Sequence, residues 1–333
     1  MAKYFITGAE GFIGSHVVES LVSKGHQVVA LVLYNPFNNT GWLNSLPKNI
    51  INSVEIKFGD VRDPDQMNKI ISRCDRVIHL AAMISVPYSY EAPSTFISTN
   101  VMGTLNILQS AKSNNNIEKI VITSTSEVYG SAKTVPINEQ HELNAQSPYA
   151  ASKTGADQLA LSFFHSYKLP ITIVRPFNTY GPRQSPRAVL PTIITQILNR
   201  FERIKLGSLY TTRDFSYVTD TAEGLIASSI PNVVIGEVLN LGSNFEISIS
   251  DCIEIISEII GYKPHITLDN KRTRPESSEV LRLWSDNSRA CKMLDWKPKH
   301  ASLSGFKSGL EKTISWFSKS ENMKLYDPYQ YSI

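Results

Sequence analysis

The sequence predicts an α/β fold: a doubly wound parallel sheet with a smaller C-terminal domain. Three observations predict it. Short β-branched runs alternate with longer helical patterns through the first half of the chain. Those runs are nearly continuous in apolar residues, as strands covered on both faces must be. A glycine turn, Gly8-x-x-Gly11-x-x-Gly14, stands between the first run and the first helical pattern.

Residues 4–7, 27–33, 54–58, 76–80 and 119–123 read as the first five strands, and 171–175 as a sixth. Between them, 14–24 reads as a helix with Ile13, Val17, Val18, Leu21 and Val22 on one face. The stretch 63–72 opens on Asp-Pro, a good helix start. Residues 95–113 and 148–167 read as longer helices. After the sixth strand the rhythm becomes irregular. Pro176, Pro182, Pro186 and Pro191 punctuate a loop that carries Arg175, Arg183 and Arg187. Helices are then expected near 192–200, 219–229 and 250–260, with a final amphipathic one near 303–317.

A chain of 333 residues is expected to form one large or two intimate domains. With 42% apolar and 19% charged residues it has a globular balance rather than a disordered one. The net charge of +3 is small and the Lys and Arg residues are dispersed, so no nucleic-acid partner is expected. Cys74, Cys252 and Cys291 lie far apart without a CxxC pair, which argues against a disulfide framework and against a metal site. An apolar strand follows Met1-Ala2-Lys3 directly, leaving no room for a signal peptide. No apolar run approaches the roughly 20 residues that span a bilayer. A soluble, cytoplasmic protein without a membrane partner is the expectation.

Glycine at 8, 11 and 14 allows a tight turn, and it lets the backbone N–H groups around Phe12 and Ile13 approach a pyrophosphate at the positive end of a helix. The turn therefore predicts a bound dinucleotide, and residues 1–180, with about 213–240, are expected to form its domain. Residues 181–333 would then mainly hold the substrate. The second strand ends Val32-Leu33-Tyr34-Asn35, without the acid that often binds the adenosine ribose and without an Arg for a 2′-phosphate. NAD is expected over NADP. Asn35 either bonds the ribose or forms a turn before Pro36, and both readings are open.

A second constellation is Tyr149-Ala-Ala-Ser-Lys153, with Ser124 and Thr125 at the end of the fifth strand. Positions i and i+4 share a helix face, so the ammonium can sit near the phenol and favour phenolate. Such a phenolate can take a proton from a sugar hydroxyl while hydride leaves the same carbon.

With these motifs the chain resembles the extended short-chain dehydrogenase/reductases that act on nucleotide sugars. The resemblance runs through TGAEGFIG (7–14), Gly59-Asp60, HLAA (79–82), Asn100, STSEVYG (124–130), YAASK (149–153), RPFNTYGPR (175–183), RDFSYVTD (213–220) and LNLGS (239–243). It implies a Rossmann domain with NAD, a sugar-nucleotide substrate and a homodimer formed through the two long helices that follow strands four and five. It places Asp60, Val61, Leu80, Ala81, Ala82, Asn100 and Ser124 around the cofactor and lets Lys153 touch the nicotinamide ribose. It assigns the substrate to Ser85, Asn178, Arg187, Arg213 and Arg274, the arginines and Asn178 facing the diphosphate.

Thr125-Ser126-Glu127 discriminates among reactions. Sugar 4-epimerases generally carry no acid at the position of Glu127. A 4,6-dehydratase must also remove the C5 proton and expel the C6 hydroxyl, and Glu127 is the candidate for that work. The dTDP-glucose 4,6-dehydratases carry Thr-Asp-Glu where this chain has Ser126, whereas the GDP-mannose 4,6-dehydratases carry Thr-Ser-Glu as here. UDP-glucuronate decarboxylases place an Arg before the catalytic Tyr, and this chain has Asn144-Ala-Gln-Ser-Pro148 there. Segments 31–43, 185–198 and 274–290 resemble the dehydratases of legionaminic-acid-type pathways, which act on GDP- or UDP-linked N-acetylglucosamine.

Overall fold

The computed structural model describes residues 1–269, 272, 275 and 278–329. Its strands, in chain order, are β1 (Lys3–Thr7), β2 (Gln27–Leu33), β3 (Val54–Gly59), β4 (Arg76–His79), β5 (Lys119–Thr123) and β6 (Ile171–Pro176). There follow β7 (Asn178–Tyr180), β8 (Arg203–Leu206), β9 (Thr212–Tyr217), β10 (Val238–Leu241), β11 (Glu246–Ser248), β12 (His265–Leu268) and β13 (Arg282–Leu283). A seven-stranded sheet runs β10-β6-β5-β4-β1-β2-β3, parallel throughout. The chain winds outward from β1 to β3 and then returns to the other side of β1 with β4. The switch between β1 and β4 leaves a crevice at their C-terminal ends, where such sheets take their ligands.

The pleat sorts the apolar runs onto two faces. Tyr4, Ile6, Val28, Ala30 and Val32 point to one core, with Val17, Val18 and Leu21 of the Phe12–Ser23 helix and Leu225 of the Val218–Ser228 helix. Phe5, Val29, Leu31, Ile120 and Ile122 point to the other, against Met67, Ile107 and Phe163 of the Pro64–Ile71, Gly103–Lys112 and Pro148–Tyr167 helices. This two-sided cover explains why the strands lack an alternating pattern.

A third core lies around Tyr180, Phe215, Phe306 and the isoleucines of the Val189–Leu198 and Ile249–Ile260 helices. Its strands are β7, β9, β11 and β13 in one small sheet and β8 with β12 in another. Among the described residues no helix is long and apolar enough to cross a membrane.

Two readings of the sequence change. The stretch 95–113 is not one α-helix: Pro93–Phe96 is helical, Ile97–Met102 widens into π-helix, and only Gly103–Lys112 is regular. The widening aims Asn100 at the backbone beyond β4, and such bulges concentrate near functional sites. The sheet also gains a seventh strand, β10, from the segment 238–241 that carried no strand assignment.

Lys119 opens β5 fully buried, its Nζ donating to the Val233 carbonyl at 2.5 Å. Burial pushes its ammonium down from 10.5 to about 8. The unfolded chain keeps that proton up to 10.5 and the folded chain releases it near 8, so this group makes stability rise with pH across that window. Lys119→Met should flatten the slope of unfolding free energy between pH 8 and 10, read by urea titration; an unchanged slope would contradict the assignment.

Candidate active site

The glycine turn is dictated by space. Gly8 sits at φ +65°, and a Cβ there would lie 2.8 Å from the Ala81 nitrogen, so β1 and the segment after β4 nearly touch. A Cβ on Gly14 would fall 2.1 Å from the Gly8 carbonyl. Gly11 caps the Phe12–Ser23 helix in extended conformation, with its N–H donating to Gly8 O at 3.1 Å. The helix therefore starts directly over the crevice, its N-terminal amides facing the switch point.

The crevice wall beside it is braced by Thr7. Its hydroxyl accepts the N–H groups of Leu80 and Ala81 at 3.1 and 3.0 Å and contacts His79 Nδ1 at 2.7 Å. Thr104 donates to the Asn100 carbonyl at 2.6 Å, which leaves its oxygen to accept from His79 Nε2 at 3.1 Å. His79 is thus neutral, and burial with Lys153 nearby holds its pKa down at about 3. Asn100 brackets Met83, accepting its N–H at 2.8 Å and donating to its carbonyl at 3.0 Å; it also donates to Ser152 Oγ. Leu80, Ala81 and Ala82 are consequently fixed along the crevice.

At the end of β5, Thr125 and Ser126 are buried and Glu127 is half-buried. Thr125 caps a single 3-10 turn, Ser126–Tyr129, by accepting the Glu127 N–H at 3.2 Å. The preceding Ser124 is buried, its N–H bonded to Val174 O. The Pro148–Tyr167 helix begins on Ser147, whose hydroxyl accepts from Ala150 N, with Pro148 at the first helical position. Tyr149 is 7% exposed, its ring edge-on to Phe96. Lys153 lies one turn on, 3% exposed, its Nζ donating to the Thr123 carbonyl at 2.6 Å. Burial pushes that ammonium down to about 8, with the charge of Asp157 opposing the fall.

Two other predicted residues make local contacts. Asn35 spends its side chain inside its own loop, accepting from Phe37 N and Asn39 N and donating to Leu33 O and Asn39 O. It is a turn former, the second of its two readings. Asp60 is gripped by Arg62, which holds its carboxyl low, while Val61 is buried and its carbonyl accepts from Asn106.

The substrate candidates come from separate elements. Ser85 caps the short Val86–Glu91 helix. Asn178 lies on β7 with a buried Oδ1 that has no hydrogen-bond partner. Arg187 is exposed, and Arg213 is buried on β9 with Glu279 at 3.4 Å. Arg274 lies outside the described residues. Among the described residues no cluster of His, Cys, Asp and Glu could hold a metal ion.

Sequence reasoning missed three features. Glu10, inside the glycine turn, accepts the Leu33 N–H at 2.9 Å and so places a carboxylate at the end of β2, where the strand itself has none. Arg183 reaches back to Ser15 and Glu19, locking the Phe12–Ser23 helix to the segment after β7. Asp157, buried one turn beyond Lys153, pairs with Arg175. Its i+4 spacing from Lys153 was a visible signal.

Over residues 5–312 the sequence matches the GDP-mannose 4,6 dehydratase family. The chain belongs to this family. Family membership makes it an enzyme of the nucleotide-sugar dehydratase and epimerase branch of the extended short-chain dehydrogenase/reductases. It is 34% identical to the UDP-glucuronate 4-epimerase of Thermodesulfobacterium geofontis, over 98% of each chain. It is 33% identical to the UDP-N-acetyl-alpha-D-glucosaminuronate decarboxylase of Bacillus cytotoxicus, over 96% of this chain and 99% of that one. Its fold superposes on dTDP-glucose 4,6-dehydratase from Bacillus anthracis in complex with NAD with a TM-score of 0.81, at 28% identity over 96% of this chain and 98% of that one.

The family's glycine turn makes a direct test possible. Gly8→Ala should cost about 1–3 kcal/mol of stability through its positive φ and weaken NAD binding about tenfold or more, since the new methyl pushes on Ala81. Calorimetric titration with NAD measures this, and wild-type affinity in the variant would contradict the cradle.

Proposed function

We propose that this enzyme is an NAD-dependent nucleotide-sugar 4,6-dehydratase, which converts an NDP-hexose to its 4-keto-6-deoxy sugar. The observation that carries the reading is the single turn that joins Thr125 to Glu127 at the end of β5, next to the helix bearing Tyr149 and Lys153. NAD, when bound, supplies a reversible hydride acceptor at the switch point. The glycine turn and the Leu80–Ala82 wall fit its pyrophosphate and adenosine end, because only glycine leaves room there.

Tyr149 takes the proton from the sugar C4 hydroxyl, with Thr125 donating to the same oxygen and Lys153 stabilising the phenolate. The C4 ketone that results acidifies the C5 proton. Glu127 removes that proton, and the C6 hydroxyl departs as water, with Glu127 or Ser126 protonating it. Return of hydride to C6 and of a proton to C5 completes the turnover. Arg213, Arg187, Arg274 and Asn178 hold the diphosphate, for which guanidinium groups are suited; the orphaned Oδ1 of Asn178 supports a role for that residue. Ser85 is assigned to the sugar.

The resemblance of 31–43, 185–198 and 274–290 supports GDP- or UDP-linked N-acetylglucosamine as substrate, on a legionaminic-acid-type route. A homodimer through the Gly103–Lys112 and Pro148–Tyr167 helices is supported by Ile97 and Met102, both exposed in the π-helical segment that leads into the first. On this reading residues 1–180 with about 213–240 hold the cofactor, and 181–333 mainly hold the substrate.

A 4-epimerase is the second reading, favoured by full-length identity to the Thermodesulfobacterium enzyme. Glu127 speaks against it, since exchange at C4 alone needs no further base. The Asn144–Pro148 segment, lacking an Arg, speaks against decarboxylation. Glu127→Gln should bind NAD like wild type and lose dehydration by about 10²–10⁴-fold, followed by the appearance of 4-keto sugar. Undiminished product formation would overturn the dehydratase assignment.

A further inference from the structure

On the Pro148–Tyr167 helix, Tyr149, Lys153 and Asp157 follow one another at intervals of four and share a face. Asp157 is fully buried, and Lys153 is nearly so. Arg175 of β6 donates to Asp157 Oδ2 through Nε and Nη2 at 3.1 and 3.0 Å. The same guanidinium donates from Nη1 to the Tyr129 hydroxyl at 3.0 Å, and that hydroxyl donates to Asn240 Oδ1 on β10 at 2.7 Å. Asn240 in turn donates to the Ile137 carbonyl, and its N–H goes to Glu139. The chain of contacts ties the charge behind Lys153 to β6, β10 and the turn that carries Glu127.

A buried ion pair contributes little net stability, because desolvation offsets its attraction; apolar residues of similar volume often serve as well or better. A purely structural account therefore leaves the choice of charges at 157 and 175 unexplained. We propose that Asp157, anchored by Arg175, is a positioning residue that keeps Lys153 cationic and aimed beneath Tyr149. The proposal rests on the reading of Tyr149 and Lys153 as the acid–base pair.

The groups around Lys153 support it. From β5 it meets only the neutral Thr123 carbonyl. From β4 comes His79, which is uncharged. From its own helix comes the Asp157 carboxylate, which opposes the effect of burial on the ammonium. Burial raises the Asp157 carboxyl, and the guanidinium of Arg175 from β6, bonded to it, opposes that rise. Without Asp157, the dry surroundings of Lys153 would favour the neutral amine, and Tyr149 would lose the positive charge that favours phenolate.

The test is a side-chain NMR titration of Lys153 in the full-length protein without substrate, with its signal assigned by Lys153→Arg. Asp157→Asn should lower the Lys153 midpoint by about one pH unit and raise the acid limb of the kcat profile by a similar amount, leaving KM unchanged. The double variant Asp157→Asn/Arg175→Met removes both charges and leaves no buried unpaired guanidinium, and it should show the same lowered midpoint. A folded double variant with an unshifted Lys153 overturns the proposal. Failure of both variants to fold overturns it too, since the pair would then be structural. Because the titration needs no substrate, it stands whether or not the enzyme proves to be a dehydratase.

Discussion

Lys153 carries a charge into a place where water cannot follow, and the rest of the cleft is arranged around that fact. Its ammonium donates to the Thr123 carbonyl, at the last residue of β5. That bond fixes the height of the Pro148–Tyr167 helix against the sheet, and with it the position of Tyr149 one turn earlier. Thr123 is also the residue before Ser124 and Thr125, so the same contact sets the distance between the two halves of the constellation. The cost of burying the ammonium is met by Asp157 and, behind it, Arg175, which is why a polar network runs through an otherwise apolar layer.

The opposite wall is set by an absence of side chains. Because Gly8 and Gly14 carry no Cβ, the Phe12–Ser23 helix, β1 and the segment after β4 converge on one point. Thr7 and His79 then lock β1 to β4 through their side chains as well as through the sheet ladder. Helix dipole, backbone amides and a topological switch thus coincide, and the chemistry on β5 lies one strand further along. Distance along the sheet, rather than along the sequence, brings residues 8–14 and 125–153 into one crevice.

Much of the fold was legible because local signals and tertiary packing agree. The runs 27–33 and 119–123 and the helix 148–167 begin and end where turn residues, Ser147-Pro148 and the loss of apolar character say they should. The stretch 95–113 misled because its apolar pattern is helical, whereas the π-widening answers to Asn100 and a backbone segment far away in sequence. β10 was hidden for a similar reason: four residues at a sheet edge carry too short a pattern to distinguish strand from loop. Spacing placed Tyr149 and Lys153 one turn apart on one helix, as they are. It could not show that Glu10 reaches the end of β2 or that Asn35 folds upon itself, since both depend on how the loop from 34 to 44 closes. Arg213 was chosen as a phosphate ligand by motif, and its partnership with Glu279 is a contact between segments 66 residues apart.

Dehydration and epimerisation differ at C5 of the sugar, and isotope incorporation reads that atom directly. The wild-type enzyme, NAD and GDP- or UDP-N-acetylglucosamine are incubated in deuterated water, and the product is analysed by NMR. A 4-keto-6-deoxy sugar carrying one solvent deuterium at C5 is the predicted result. Inversion at C4 with protium retained at C5 would contradict it.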